Sequence, residues 1–332
     1  MFDDLNKFRR LFCDLGDHVR NAVILGRGGV DDMATVAHES AADTIYAVDK
    51  LSEAAISGWF KQYWPEEEPV ELVMEGIADD QPLCFPRDTD PRDTKWKCIL
   101  DPIDGTRGLM YDKRSAWCLA GLAPQLGPAT RLSDICVACM TELPTTKQWR
   151  ADQVSAIRGG GLVSEAVNVL DGTRAPITLK ASQAERFEHG FSSLAKYFPE
   201  GRALTAQVEE LLWDRLIGLG KYDSPTIFDD QYICTGGQFY ELLAGHDRMI
   251  GDIRPLVFRC LDMESSLVCH PYDAAAWLLL EEAGVIYEAP FGGFPDAPLD
   301  TTSAVAWVAF ANPRLAEIAC PVFREILRQM LA

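Results

Sequence analysis

The sequence predicts an α+β fold, with helices and strands in separate layers rather than wound into a parallel sheet. Three observations predict it. Long stretches at both ends of the chain carry apolar residues at three-to-four spacing, the mark of amphipathic helices. The middle carries apolar runs of strand length at 98–100, 117–123 and 135–142. Strands and helices alternate along the chain without a clean βαβ rhythm.

Residues 3 to about 26 read as a helix through Leu5, Phe8, Phe12, Leu15, Val19 and Ala22, ended by Gly26-Arg27-Gly28-Gly29. No Lys-Ser/Thr follows that glycine-rich loop, so it does not read as a phosphate cradle. Residues 49–64 form a second helix with Leu51, Ala54, Ile56, Phe60 and Trp64 inward. If Asp49 starts it, Asp49 and Glu53 share one face. Residues 79–96, rich in Asp, Pro and Arg, read as a polar insertion, either a surface loop or a lid. The runs at 117–123 and 135–142 read as adjacent strands. Residues 153–157 partly alternate and lead to Gly159-Gly160-Gly161. Residues 160–190 show no strong periodicity. Helices are read at 203–218, at 237–245 ending on Gly245, at 273–283, and at 313–331. No internal repeat or low-complexity tract interrupts this order.

A chain of 332 residues can bury a large core, and 48% of its residues are hydrophobic. No apolar run reaches the roughly 18 residues needed to span a membrane. Met1-Phe2-Asp3-Asp4 lacks a basic flank and an apolar stretch, so no secretory signal is read. The 10 cysteines are scattered, which suits a reducing cytoplasm. Cys136-Val137-Ala138-Cys139 is a CxxC inside an apolar run with no second CxxC, and it reads as core strand rather than zinc or redox site. A formal net charge of −19 argues against duplex nucleic acid and anionic membranes as partners. It fits a site where bound cations reverse the local field, and it also simply keeps a protein soluble. His18, His38, His189, His246 and His270 are not at paired metal spacing, and no GxSxG accompanies them.

The most informative stretch is Asp101-Pro102-Ile103-Asp104-Gly105-Thr106, at the exit of the 98–100 run. Pro102 fixes φ, and Gly105 permits a sharp turn or a close backbone approach. Two carboxylates held this near each other repel unless a cation or proton sits between them. All-oxygen ligands suit Mg²⁺, which keeps other positions for water and substrate phosphate. The alternative is a capped turn before a helix. Two further acids accompany the motif. Glu75 closes the apolar run that contains Val73 and Met74, and Asp273 opens a helical stretch stopped by Gly284.

These residues resemble the inositol monophosphatase superfamily of Mg²⁺-dependent, lithium-sensitive phosphatases. That family includes inositol monophosphatases, fructose-1,6-bisphosphatases and 3'(2'),5'-bisphosphate nucleotidases. Its DP(I/L)DG(T/S) signature stands at 99–106, and its W-D-x-A-A … E-A-G signature at 272–284. The Asp49/Glu53 pair and the 159–161 glycines fit weaker landmarks. The order matches over roughly residues 40–285. The departures are Gly76 for a usual second Glu, Leu109 for an aromatic, Tyr272 for the tryptophan of W-D, and Trp277 for a small residue.

The resemblance implies a layered αβαβα sandwich with the site between two halves. An N-terminal half, 1–180, would carry most metal ligands; a C-terminal half, 181–332, would carry Asp273 and specificity residues. It implies a cytoplasmic phosphomonoesterase, commonly a homodimer, acting on a small phosphorylated metabolite with two or three Mg²⁺ ions. Asp101 would bridge two metals. Glu75 and the Ile103 carbonyl would complete one site, and Asp104 and Asp273 the other. Thr106 would orient the attacking water, with Glu75 and Asp49 assisting; Asp49 could instead hold a third, weaker metal or be a plain helix cap. Gly105, Thr106, Arg107 and Asp273 would meet the substrate. Lys113 and Arg114 could reach a second phosphate. Residues 234–264, including Cys234-Thr235-Gly236-Gly237, Arg248, Arg254, Arg259 and Glu264, lie where relatives contact the leaving group. Inositol monophosphate, a sugar bisphosphate and a 3'-phosphonucleotide all stay open as substrates. A haloacid-dehalogenase-type phosphatase matches less well, because its motif has one residue between the aspartates, not two. A catalytically weak homologue that binds metal or ligand is the non-enzymatic alternative, favoured by Gly76, Leu109 and Trp277.

Overall fold

The computed structural model describes residues 2–26, 36–39, 44–77, 82–221, 223–263 and 267–331, with the backbone alone at 2–4, 36–39 and 44–54. Helix α1 (Phe2–Gly26) leads to a short hairpin of β1 (Val36–Glu39) and β2 (Thr44–Tyr46), and then to α2 (Ala47–Tyr63). An eight-stranded sheet follows. It is built from β3 (Val70–Met74), β4 (Leu83–Phe85), β5 (Trp96–Asp104), β6 (Ala116–Pro124), β7 (Val137–Leu143), β8 (Arg150–Ile157), β9 (Leu162–Asn168) and β10 (Arg174–Pro176), with α3 (Thr106–Met110) between β5 and β6. The spatial order is β10-β9-β8-β7-β6-β5-β3-β4, antiparallel except for the β3–β5 pair. The remaining chain gives β11 (Gly190–Leu194), α4 (Arg202–Ile217), β12 (Ile227–Phe228), α5 (Thr235–Leu243), β13 (Asp247–Asp252), α6 (Arg254–Cys260), α7 (Leu278–Glu282), β14 (Ile286–Glu288), β15 (Trp307–Phe310) and α8 (Pro313–Met330). Its strands form a five-stranded sheet in the order β12-β11-β13-β15-β14.

Three apolar clusters show the layering. Phe8, Phe12, Leu15, Val19 and Val23 of α1 pack with Ile56 and Phe60 of α2 onto Cys98, Leu100 and Cys118 of the first sheet. On the other face, Ile99, Trp117 and Leu119 pack with Phe239 and Leu242 of α5 and with residues 274–280, which also meet Ile250 and Trp307 of the second sheet. The second sheet's far face carries α4 and α8 through Val208, Leu212, Leu315 and Phe323. The result is the helix–sheet–helix–sheet–helix sandwich that the resemblance implies. Neighbouring residues of β5 belong to opposite clusters, so this strand is apolar on both faces and reads as a continuous run.

Three sequence readings need revision. The stretch 160–190 contains strands β9 and β10. The edge strand β10 and its neighbour β9 are mostly half-buried or exposed, so no hydrophobic alternation marks them. The polar insertion contains β4, an edge strand paired with β3, and a short turn at Pro91–Asp93; residues 79–81 lie outside the described residues. The helix expected at 273–283 is regular only over Leu278–Glu282. Before it the chain winds tightly, with Ala275 N donating to Tyr272 O (3.2 Å) and Trp277 N to Ala274 O (3.0 Å). Residues 274–280 are all buried between the two sheets, and packing on both sides overrides simple helix propensity there.

Candidate active site

Asp101 and Asp104 are three residues apart on β5, which in an uninterrupted strand would aim them at opposite faces. The pairing with β6 decides otherwise. Asp101 lies opposite Leu119 and Asp104 opposite Trp117, so three steps on β5 match two on β6. This bulge puts both carboxylates on the face of Trp117 and Leu119, toward the middle helical layer. Within the bulge, Ile103 N donates to Asp101 Oδ1 (3.0 Å), and the Thr106 hydroxyl donates to Ile103 O (2.8 Å). Gly105 precedes α3 with φ +99°, a left-handed conformation that disfavours any side chain.

Asp273 reaches the same place from the buried turn ahead of α7. One oxygen from each of Asp101, Asp104 and Asp273 lies within 4.8 Å of the others. Asp101 and Asp104 are buried, and Asp273 is half-buried. Glu75 stands beside Asp101, next to β3, where its amide donates to Leu100 O (3.3 Å). Burial and the charges of Glu75, Asp104 and Asp273 push the Asp101 carboxyl well above the ordinary range. Burial and Asp273 do the same to Asp104, offset by hydrogen bonds from Gly236, Cys234 and Thr235. Burial raises Asp273 to about 6, offset by His270, whose amide donates to Asp273 Oδ2 (2.6 Å). No lysine or arginine among the described residues forms an ion pair with any of the three. A close cluster of carboxylates with no ion-paired lysine or arginine among the described residues is a donor set that fits hard divalent cations.

The surroundings refine the sequence reading. Arg107 lies over the Phe198 ring (5.8 Å). Arg114 pairs with Asp230 (2.5 Å). Arg248 donates to the carbonyls of Arg186 (2.9 Å) and His189 (3.3 Å), and therefore braces a loop. Arg254 is buried in an ion pair with Asp252 and stacks over Tyr197 (4.8 Å). The glycine turn at 159–161 joins β8 to β9, and the Glu282 carboxylate accepts from Gly161 N (2.7 Å). Leu109 and Trp277, two departures from the family pattern, are core residues; Trp277 Nε1 donates to Leu132 O (2.9 Å). Asp49 and Glu53 lie in the first part of α2, residues 47–54, whose side chains are outside the described residues, as are Arg27, Gly28, Gly29 and Glu264. Within the 234–264 stretch, Gly236 N donates to Asp104 Oδ2, a contact the sequence reading did not include. Adjacent glycines at the start of a predicted helix were the available signal for such a close approach.

No family model and no curated protein sequence matches the chain. Solved structures do. Leishmania major fructose-1,6-bisphosphatase is 12% identical, with 95% of this chain and 92% of that one covered at a TM-score of 0.67. Inositol monophosphatase from Anabaena is 14% identical, with 98% and 97% covered at 0.61. A calcium-bound inositol monophosphatase family protein from Staphylococcus aureus is 14% identical, with 98% and 95% covered at 0.63. The chain has the fold of the inositol monophosphatase superfamily, over essentially its whole length.

Proposed function

We propose that this protein is a divalent-cation-dependent phosphomonoesterase acting on a small phosphorylated metabolite of the inositol monophosphate type. The observation that carries the reading is the convergence of Asp101, Asp104 and Asp273 within 4.8 Å, from two distant parts of the chain. The similar solved proteins are phosphatases by name, and one of them holds calcium. We take the cation to be Mg²⁺, two or three per site. Asp101 would be shared between two, with Glu75 and the Ile103 carbonyl on one side and Asp104 and Asp273 on the other; Asp49 would serve a third. Such cations supply charge neutralisation for a transferring phosphoryl group and activate water.

The chain's own groups do the rest. The Thr106 hydroxyl is held against Ile103 O, inside the turn that carries Asp104, and from there it would orient the attacking water. The backbone amides of Gly105 and Thr106, at the start of α3, would receive phosphate oxygens, with Arg107 adjacent. A cytoplasmic homodimer inhibited by lithium belongs to the same reading. The regulator alternative loses two of its supports, since Leu109 and Trp277 serve the core.

The test is phosphate release from inositol-1-phosphate, fructose-1,6-bisphosphate and 3'-phosphoadenosine 5'-phosphate, with Mg²⁺, with EDTA, and with Asp104→Asn. Turnover of one compound that vanishes with EDTA and with the variant supports the reading. Turnover that survives both overturns it.

A further inference from the structure

We infer that the N-terminus of α5 sets the cation affinity of this centre by holding Asp104 in its ligand pose. The inference rests on the cation-dependent reading above and concerns residues which that reading leaves idle. Each of the three carboxylates accepts a backbone hydrogen bond, but from different distances along the chain. Asp101 is held by Ile103 N and Asp273 by His270 N, both within three residues. Asp104 is held by Gly236 N, 132 residues away, with Thr235 and Cys234 close enough to offset the rise that burial gives its carboxyl. Its pose is therefore the one that local sequence does not secure. Repulsion from Asp101 and Asp273 would otherwise favour turning it away from the cluster.

The helix end is wedged in place. A Cβ on Gly236 would stand 2.9 Å from Asp104 Oδ2, 2.9 Å from Trp117 Cβ and 2.8 Å from Leu119 Cδ2. Trp117 and Leu119 are the β6 residues opposite Asp104 and Asp101, so α5 closes directly on the bulge. Cys234 caps the helix, its sulfur accepting from Gly237 N (3.4 Å). The far end of α5 is anchored to the same sheet: the Tyr240 ring stacks on Trp117 (4.8 Å), and its hydroxyl donates to Asp152 Oδ2 (2.5 Å). Outer groups that orient a metal ligand typically contribute about 10- to 100-fold in affinity.

The experiment is Mg²⁺ binding to the full chain by calorimetry, together with Tm in EDTA and in Mg²⁺, for wild type, Gly236→Ala, Cys234→Ala and Cys234→Ser. Gly236→Ala is expected to weaken Mg²⁺ about 10- to 100-fold and to shrink the Mg²⁺-induced rise in Tm. Cys234→Ala should weaken binding less, and Cys234→Ser, which keeps a capping and donating group, should restore it. Should Gly236→Ala not fold, the Cys234 pair decides. A lowered Tm in EDTA with unchanged Mg²⁺ affinity in these variants would make the contact merely structural and overturn the inference. A wild type that binds neither Mg²⁺ nor Mn²⁺ would overturn the cation reading itself, a distinct result that needs no variant.

Discussion

Asp252 on β13 and Asp101 on β5 are both nearly sealed from solvent, at 0% and 1% exposure, yet the molecule treats them oppositely. Asp252 faces Arg254, whose Nε donates to both its oxygens (2.8 and 3.0 Å) and whose Nη1 donates to Leu267 O (2.8 Å). Asp101 faces Glu75, Asp104 and Asp273. A buried carboxylate is costly without a partner. This chain can supply a guanidinium when a carboxylate serves the fold, and between the two sheets it supplies other carboxylates instead. The difference is that the middle-layer carboxylates have no ion-paired lysine or arginine among the described residues, which is what the cation reading proposed above rests on. Asp247 is a third case, buried, outside the cluster, and without an ion pair among the described residues.

The comparison breaks most sharply at Asp101→Asn. Turnover should fall by at least about 10³-fold, the equivalent of several kcal/mol of lost charge stabilisation. At the same time Tm in EDTA should rise, because a buried like-charge contact disappears. Steady-state kinetics and a melt on one preparation measure both, and a lower Tm in EDTA would refute the contrast. Arg254→Met should do the reverse, costing about 3–5 kcal/mol of stability by stranding Asp252; chemical denaturation reads this directly.

Asp247 sharpens the comparison through pH. Burial pushes its carboxyl up to about 7, with Glu241, Asp230 and Asp229 adding and His246 offsetting. The folded value lies above the unfolded one of about 4, so Asp247 supports the fold fully below that pH. The contribution, up to roughly 4 kcal/mol, is lost as pH rises through the folded value of about 7. Asp247→Asn should flatten the fall in Tm between roughly pH 5 and 8, and an unchanged slope would remove Asp247 as its source. Thr106→Ala should lower turnover about 10²-fold while leaving Mg²⁺ affinity and Tm near wild type. The smallest effect is expected at Arg114→Ala. Its ion pair with Asp230 is partly exposed and worth under about 1 kcal/mol. A raised KM for a bisphosphate substrate alone would instead assign Arg114 to a second phosphate.

Legibility followed locality. The two terminal helices were readable because Phe8, Phe12 and Leu15, and Leu315, Phe323 and Leu327, repeat with the helical period and face one core each. Strands β9 and β10 were not, because partial exposure at the end of the sheet leaves little hydrophobic alternation to read. The segment around Asp273 was half-readable. Its apolar residues announced burial, but burial on both sides hid how tightly the chain would wind.

The sequence by itself determined the core periodicities, the oxygen-donor chemistry, and the turn in which Pro102 fixes φ and Gly105 frees the backbone within six residues. Tertiary structure alone decided that a bulge against β6 would turn Asp101 and Asp104 to one face. It also brought Asp273 and Gly236 to them from beyond residue 230. The physical reason is range. Backbone sterics and hydrogen bonds to near neighbours are written in adjacent residues. The meeting of like charges is a cost that only the packing of two sheets around one helical layer can impose.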